Sequence, residues 1–161
     1  MKQLVDWSSS LWAGVIAGLI FLLANLFWLP QVMGGNAWVI IRLLASLMMG
    51  KAILAPPATF HLGALVIGLI THFTLSISYA CLIAFLIHRW GLLTGIFLGA
   101  MLGAVIYVIN IYSLTLLFPW FFGMRHTAFL LTHILFGLCA GGLYEALEVE
   151  EFEYIKEGEG S

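Results

Sequence analysis

The chain alternates between long apolar runs and short polar breaks, and the apolar runs have the length of membrane-spanning helices. Four of them cover residues 11–29, 62–87, 92–118 and 127–147. A bilayer core about 30 Å thick needs about 20 apolar residues in a helix. Backbone polar groups cannot stay unpaired in lipid, and none of the runs alternates like a barrel strand. The pattern therefore predicts four transmembrane helices and, because this number is even, both termini on the same side.

Residues 37–55 form a further apolar run, which differs because it carries two cations, Arg42 and Lys51, and is followed by two prolines. A cation at the centre of a bilayer costs about 2.5–3.5 kcal/mol on insertion scales. A helix that lies in the interface, or that enters the membrane and returns, keeps both charges near the surface. We predict such an interfacial or re-entrant helix over residues 37–55. A fifth span with both cations snorkelling to its ends is the alternative.

The amino-acid composition excludes other classes of protein. Apolar residues make up 63% of the 161 residues and charged residues 9%, against about 45–50% and 25% in ordinary globular proteins. A water-soluble monomer of this size cannot bury so much apolar surface. Six Lys and Arg against eight Asp and Glu also exclude a basic surface for nucleic acid. The predicted fold is all-α, a transmembrane helical bundle over residues 1–147.

The last residues, 148–161, are predicted to form a short acidic tail. From Glu145 onward the chain has seven Glu and one Lys. Such a charge run is typical of a solvated segment that stays outside the membrane. A docking strip for a basic partner is the other interpretation.

Glycines predict where the helices touch. The third span carries four glycines at intervals of four residues, and the first span repeats the spacing with two, which gives the packing set Gly91, Gly95, Gly99, Gly103, Gly14 and Gly18. Small residues at this spacing let helix backbones approach closely in lipid, where hydrophobicity gives helices no drive to associate. The pattern does not say whether the partner helix belongs to this chain or to another one.

Histidines form one stripe on each of two spans, which run parallel in a four-span topology. At about 100° per residue, His61, His72 and Tyr79 share one narrow face with Ser76 on its flank, and His126, His133 and Tyr144 share a face on the last span. His72 and His133 come to a similar depth and could face each other. Ionisable side chains within spans are functional hypotheses by default.

Three interpretations of these stripes stay open. The imidazoles could be neutral and hydrogen-bonded across the bundle. They could line a path for protons or ions, because histidine changes charge near neutral pH. His72 and His133 could also ligate a b-type haem, with Gly68 and Gly137 clearing space for the ring. No other cofactor and no metal site is predicted.

Catalytic patterns are missing from the sequence. It has no glycine-rich phosphate loop, no His-Glu-x-x-His motif, and no Asp or Glu between Asp6 and Glu145. A membrane hydrolase or an acid–base enzyme would be expected to place a carboxylate or a nucleophile–base pair within reach of the site. We predict that the protein is not an enzyme.

Several stretches resemble a family of small bacterial inner-membrane proteins that is often named "sodium:proline symporter". They are Arg42 with Gly50-Lys51, residues 56–60 (PPATF), residues 72–79 (HFTLSISY), His88-Arg89, residues 118–121 (FPWF) and residues 133–137 (HILFG). The resemblance covers about residues 38–145, and the two intramembrane histidines are also similar to those of YagU-like proteins. It implies a multi-pass protein of the bacterial inner membrane and brings no established chemistry with it.

Two classes of function follow. The first is a non-catalytic accessory or assembly subunit of a larger bacterial membrane complex, such as a respiratory one, with the bilayer and other membrane subunits as partners. The second is a small oligomeric channel or transporter that moves protons or a small solute along the histidine stripes. A haem-binding electron-transfer subunit is a minor alternative.

Overall fold

A computed structural model describes residues 2–149 and 152–153, and the described chain is almost entirely helical. Four of its helices are long and apolar enough to cross a membrane: α1 (Trp7–Met33), α3 (Leu62–Ile87), α4 (Leu92–Leu117) and α5 (Thr127–Leu147). A shorter apolar helix, α2, covers Ala37–Met49. Two 3-10 turns follow α2 and α4, over Lys51–Leu54 and Pro119–Met124. The all-α membrane bundle predicted from the sequence is confirmed.

The helix α1 starts earlier and ends later than residues 11–29, so both predicted limits are wrong. Asp6 caps its start by accepting a hydrogen bond from the backbone N–H of Ser9 at 3.0 Å. The predicted stop at Pro30 fails because a π-helical turn, Ala24–Trp28, precedes a new α-helical segment, Leu29–Met33. Pro30 lies in the first turn of that segment, and the π turn before it changes the hydrogen-bond spacing, so the helix continues past the proline.

The helix α2 is too short to be a fifth span. Its 13 residues rise about 20 Å, less than the hydrocarbon core of about 30 Å. Gly34 and Gly50 flank it with positive φ angles of 81° and 76°, a conformation that glycine adopts without strain. The chain therefore turns sharply on both sides of α2, and the helix packs along α3.

Helix order defines the two ends of the bundle. The terminal end carries residues 2–6, the turn 88–91 and residues 148–149, and the loop end carries residues 34–61 and 118–126. At the terminal end, β1 (Lys2–Gln3) and β2 (Phe152–Glu153) form a short antiparallel pair. The hydroxyl of Ser9 also donates to the carbonyl of Leu147 at 2.8 Å. The described N-terminal and C-terminal segments therefore lie on the same side, as four spans require.

The predicted acidic tail is described only in part. Residues 148–149 and 152–153 contact the N-terminal segment through the β1–β2 pair and a hydrogen bond from the Val149 N–H to the Asp6 carboxylate at 3.1 Å. The remaining tail residues, 150–151 and 154–161, lie outside the described residues.

The glycine ladder of α4 packs on α5 of the same chain. A Cβ atom added at Gly99 would overlap the carbonyl oxygen of Gly137, and one added at Gly103 would overlap that of His133. A Cβ atom added at Gly141 would overlap the carbonyl oxygen of Gly95, and one added at Gly95 would meet the side chain of Glu145. Backbone therefore touches backbone along this seam, as small-residue packing in lipid requires.

The other predicted packing glycines have different places. Gly91 lies in the turn before α4 with a φ of +75°, and nothing lies within 4 Å of an added Cβ. In α1, a Cβ added at Gly14 would lie 2.8 Å from the Cα of Ile77, and one added at Gly18 would lie 2.8 Å from the Cβ of Ser76. Gly14 and Gly18 thus form a second close seam, between α1 and α3.

Candidate functional site

One small cavity in the bundle is lined mostly by apolar side chains, with polar side chains from three helices among them. Its volume is about 70 Å³, and α2 and α1 complete its wall with apolar side chains. We call it the chamber, and its polar lining residues are His72, Ser76 and Tyr79 of α3, Asn110 of α4 and His133 of α5. A cavity of this size has room for several water molecules, provided that polar partners hold them.

His72 is buried and bonded across the bundle. Its Nε2 lies 2.8 Å from the carbonyl oxygen of Gly18 in α1 and 3.4 Å from the hydroxyl of Ser76. Because a carbonyl can only accept, we assign the proton to Nε2, which leaves Nδ1 as the lone-pair nitrogen. The ring also stacks on Phe21 with centroids 5.6 Å apart.

His133 is equally buried, but its hydrogen bond stays within its own helix. The Nδ1 atom lies 2.9 Å from the carbonyl oxygen of Phe129. The same reasoning puts the proton on Nδ1 and leaves Nε2 as an acceptor. Within the part of the chain that the structure describes, Nε2 has no hydrogen-bond partner. Phe21 packs edge-on against the ring at 4.8 Å, so one aromatic side chain contacts both histidines.

Two π-helical turns supply the amides near the chamber. Asn110 lies in the π turn Ile109–Ser113 of α4 and accepts a hydrogen bond from the hydroxyl of Tyr79. Asn25 lies in the π turn of α1, donates to the carbonyl of Phe21 at 2.7 Å and accepts from the hydroxyl of Thr132 at 3.2 Å. Such turns occur frequently at functional sites. Sequence reasoning missed both turns, and its only signal was a lone asparagine in each span.

The predicted stripes are divided among three places. His72, Ser76, Tyr79 and His133 line the chamber. His61 and His126 are exposed at the loop end, where each accepts a backbone N–H at 3.0 Å and so caps the start of its helix. Tyr144 lies at the terminal end and donates to Glu148 at 2.7 Å. The helical angle of a residue cannot reveal this division. The backbone N–H groups in the first turn of a helix need hydrogen-bond acceptors, and a side chain before the helix can supply one whichever face it belongs to.

Two further cavities lie between the chamber and the loop end. The outer one has about 340 Å³ and is lined by Asn36, Arg42 and Trp120 among mostly apolar residues, and the inner one has about 40 Å³. The outer and inner cavities share Ile40, Leu43 and Met124 in their walls. The inner cavity shares Phe21, Leu44, His72, Phe121 and Phe129 with the chamber. Mostly apolar side chains therefore separate the chamber from the loop end.

Arg42 anchors the segment that covers this route. Its guanidinium donates to the carbonyls of Ile53, Ala55 and Thr59 at 3.0–3.2 Å, with a longer contact to the Thr59 hydroxyl. The alternative in which Arg42 snorkels to the surface is wrong, because only 9% of the residue is exposed. Backbone carbonyls, rather than water, solvate this cation.

The residues around His72 and His133 do not fit a haem. An added Cβ at Gly68 would come to 2.8 Å from the carbonyl oxygen of Ile41 in α2, and one at Gly137 would overlap the backbone of α4. Neighbouring helices therefore fill the space beside both glycines that the sequence predicts to clear room for the haem ring. The chamber of about 70 Å³ has no room for a macrocycle. Among the described residues no group of three or more His, Cys, Asp or Glu is placed to hold a metal ion.

These features define a multi-pass helical membrane protein with a small, mainly apolar chamber among its spans, which a few polar side chains line. Comparison of the chain with protein-family models, with curated proteins and with solved structures finds no match. The resemblance to the small inner-membrane family therefore stays a prediction.

Proposed function

We propose that the protein is a small, non-catalytic channel that passes protons or a small polar solute through a bacterial inner membrane, and that the chamber is its central site. One observation carries this proposal. His72, Tyr79, Asn110 and His133, from three different helices, line the same cavity within an otherwise apolar bundle. Polar groups at membrane depth that face a cavity are typical of solute and ion pathways.

The hydrogen-bond pattern supports a role in proton transfer. The assigned tautomers leave one lone-pair nitrogen on each histidine of the chamber, and such a nitrogen can accept a proton from water. Toward the terminal end the bundle is closed by Phe136, Ala140 and other tightly packed residues. In this proposal the described conformation is the closed state of the channel, in which the chamber lies nearer the loop end.

Proton flux into liposomes tests the proposal. Purified protein is reconstituted under an imposed pH gradient with a fluorescent pH indicator inside. We expect the wild type to dissipate the gradient faster than empty liposomes, and His72→Ala with His133→Ala to return the rate to that of empty liposomes. The control is His61→Ser with His126→Ser, which removes two other histidines and keeps a good helix cap. Equal flux with and without the wild-type protein would refute the proton channel.

The accessory-subunit hypothesis stays a prediction, but the surfaces that could bind a partner are partly covered by contacts within the chain. The glycine ladder packs on α5, α2 packs on α3, and part of the acidic tail pairs with the N-terminal strand. Each of these three features, which could have served to dock a partner, is thus at least partly used inside the chain. Co-purification of a respiratory or other membrane complex with the tagged protein, at one copy per complex, would favour this second role.

A further inference from the structure

A groove at the terminal end has chemistry that the chamber does not use. Its volume is about 800 Å³, and it lies between the N-terminal segment and the turn that joins α3 to α4. Residues 3–5 and Trp7 form one wall, and Phe85, Leu86 and the turn residues His88, Arg89 and Trp90 form the other. Among the described residues that line the groove, none carries a carboxylate.

A buried histidine positions the arginine of this groove. His88 is only 8% exposed, and its Nδ1 lies 2.9 Å from the carbonyl oxygen of Phe85. That contact puts the proton on Nδ1, so Nε2 accepts the hydrogen bond that the Nε–H of Arg89 donates at 3.2 Å. In the described part of the chain, Nε is the only guanidinium nitrogen of Arg89 with a hydrogen bond. The two terminal nitrogens of an exposed, oriented guanidinium are left for a ligand.

The surroundings indicate the membrane interface. Trp7 and Trp90, both on the groove, are 54% and 62% exposed, and exposed tryptophans at span ends are typical of the level of the lipid headgroups. Phe85 and Leu86 continue the groove along α3 with exposed apolar side chains. A ligand here meets a cation at the headgroup level and an apolar surface below it.

We propose that this groove binds an anionic phospholipid, with the phosphodiester on the terminal nitrogens of Arg89 and an acyl chain along Phe85 and Leu86. A guanidinium offers parallel N–H groups that match two oxygens of a phosphate. The described residues that line the groove include no carboxylate to receive the choline group of a zwitterionic lipid. The His88–Arg89 pair, which the channel proposal leaves without a role, thereby acquires one as a lipid site.

Native mass spectrometry of the full chain, released from a nonionic detergent, tests this site. The protein is titrated with dioleoyl phosphatidylglycerol, with dioleoyl phosphatidylcholine and with inorganic phosphate. We expect one phosphatidylglycerol to bind more tightly than phosphatidylcholine. We expect Arg89→Gln to weaken that binding at least about tenfold, because it removes charge-assisted hydrogen bonds to the phosphodiester. His88→Phe should weaken binding in the same direction, because it removes the acceptor that orients Arg89.

The matched control is Arg125→Gln, at the loop end. Arg125 is also exposed, but it donates to Thr115 and lies over the rings of Tyr112 and Phe122. We expect this variant to bind phosphatidylglycerol like the wild type. Equal binding by Arg89→Gln, or an equal loss in Arg125→Gln, would overturn the site. Competition by inorganic phosphate at the same affinity would show a simple anion site and overturn the lipid assignment. Because this readout does not involve flux, its result is independent of the channel proposal.

Discussion

The helices pack closely in one half of the bundle and leave cavities between them in the other half. Toward the terminal end, α4 and α5 touch through Gly95, Gly99, Gly137 and Gly141, and the core around them is rich in alanine. Toward the loop end, α1 and α4 each contain a π turn, and cavities lie among aromatic and polar side chains. In lipid, close packing rather than hydrophobicity holds helices together. The dry half therefore fixes the bundle, and this leaves the other half able to hold polar groups and cavities.

The largest expected effect comes from the glycine seam. Gly137→Ala places a methyl group against the backbone of Gly99 and Gly103, and neither backbone can move aside cheaply. We expect a loss of about 3 kcal/mol in the free energy of unfolding, at the upper end of the range for overpacking. Unfolding by sodium dodecyl sulfate from mixed micelles measures it. Gly123→Ala, where an added Cβ meets nothing within 4 Å, should change stability by less than about 0.5 kcal/mol.

The next effect concerns the cation beneath the loop end. Arg42→Met leaves three backbone carbonyls without their donor, and we expect a loss of about 2 kcal/mol in the same unfolding assay. Lys51→Gln is the control, because Lys51 is exposed and lies just after α2. If both variants unfold like the wild type, Arg42 does not anchor the loop.

A smaller effect is expected inside the chamber. Tyr79→Phe removes the hydroxyl that donates to Asn110, and interhelical hydrogen bonds in membranes contribute about 0.6 kcal/mol on average. We expect a loss of that size in the free energy of unfolding. Tyr112→Phe should be neutral, since Tyr112 is half exposed and contacts Arg125 through its ring. A loss of several kcal/mol would show that this hydrogen bond holds the fold.

The smallest effect depends on pH. The hydrogen bond from the Ser9 hydroxyl, at 2.6 Å, lowers the pKa of Asp6 below its ordinary value of 3.8. A lowered pKa contributes stability that is present above the ordinary value and is lost as the pH falls through the folded value. We expect the stability difference between wild type and Asp6→Asn to stay constant from pH 7 to about 5 and to shrink below about pH 4. In Ser9→Ala the decline should be smaller and should be complete at a higher pH, because the folded pKa of Asp6 then lies closer to the ordinary value. A difference that does not change with pH would contradict the assignment.

Much of the fold could be predicted because uninterrupted apolar runs are long enough to define a helix. The limits at residues 62–87 and 127–147 agree with α3 and α5. The end of α1 could not be predicted, because a π turn changes the hydrogen-bond spacing without changing the composition. The same turn lets Pro30 start a new segment.

The chamber was only partly visible in the sequence. Helical spacing places His72, Ser76 and Tyr79 together on α3, and a parallel α5 brings His133 to a similar depth. Asn110 of α4 and Phe21 of α1 could not be added, because their positions depend on which helices are neighbours. His61 and His126 fit the same angular count, but capping takes them away from the chamber.

The central claim is that the chamber, which mostly apolar side chains separate from the loop end in the described conformation, opens to water from that end, whereas the terminal half stays dry. Cysteine labelling tests it most directly, in a background where Cys81 and Cys139 are replaced by alanine. Ser76→Cys places a thiol in the chamber, and Ala140→Cys places one in the tightly packed core. We predict that a small, water-soluble methanethiosulfonate reagent modifies the cysteine at position 76 at least about ten times faster than the one at position 140. Equal protection of both positions would contradict the account.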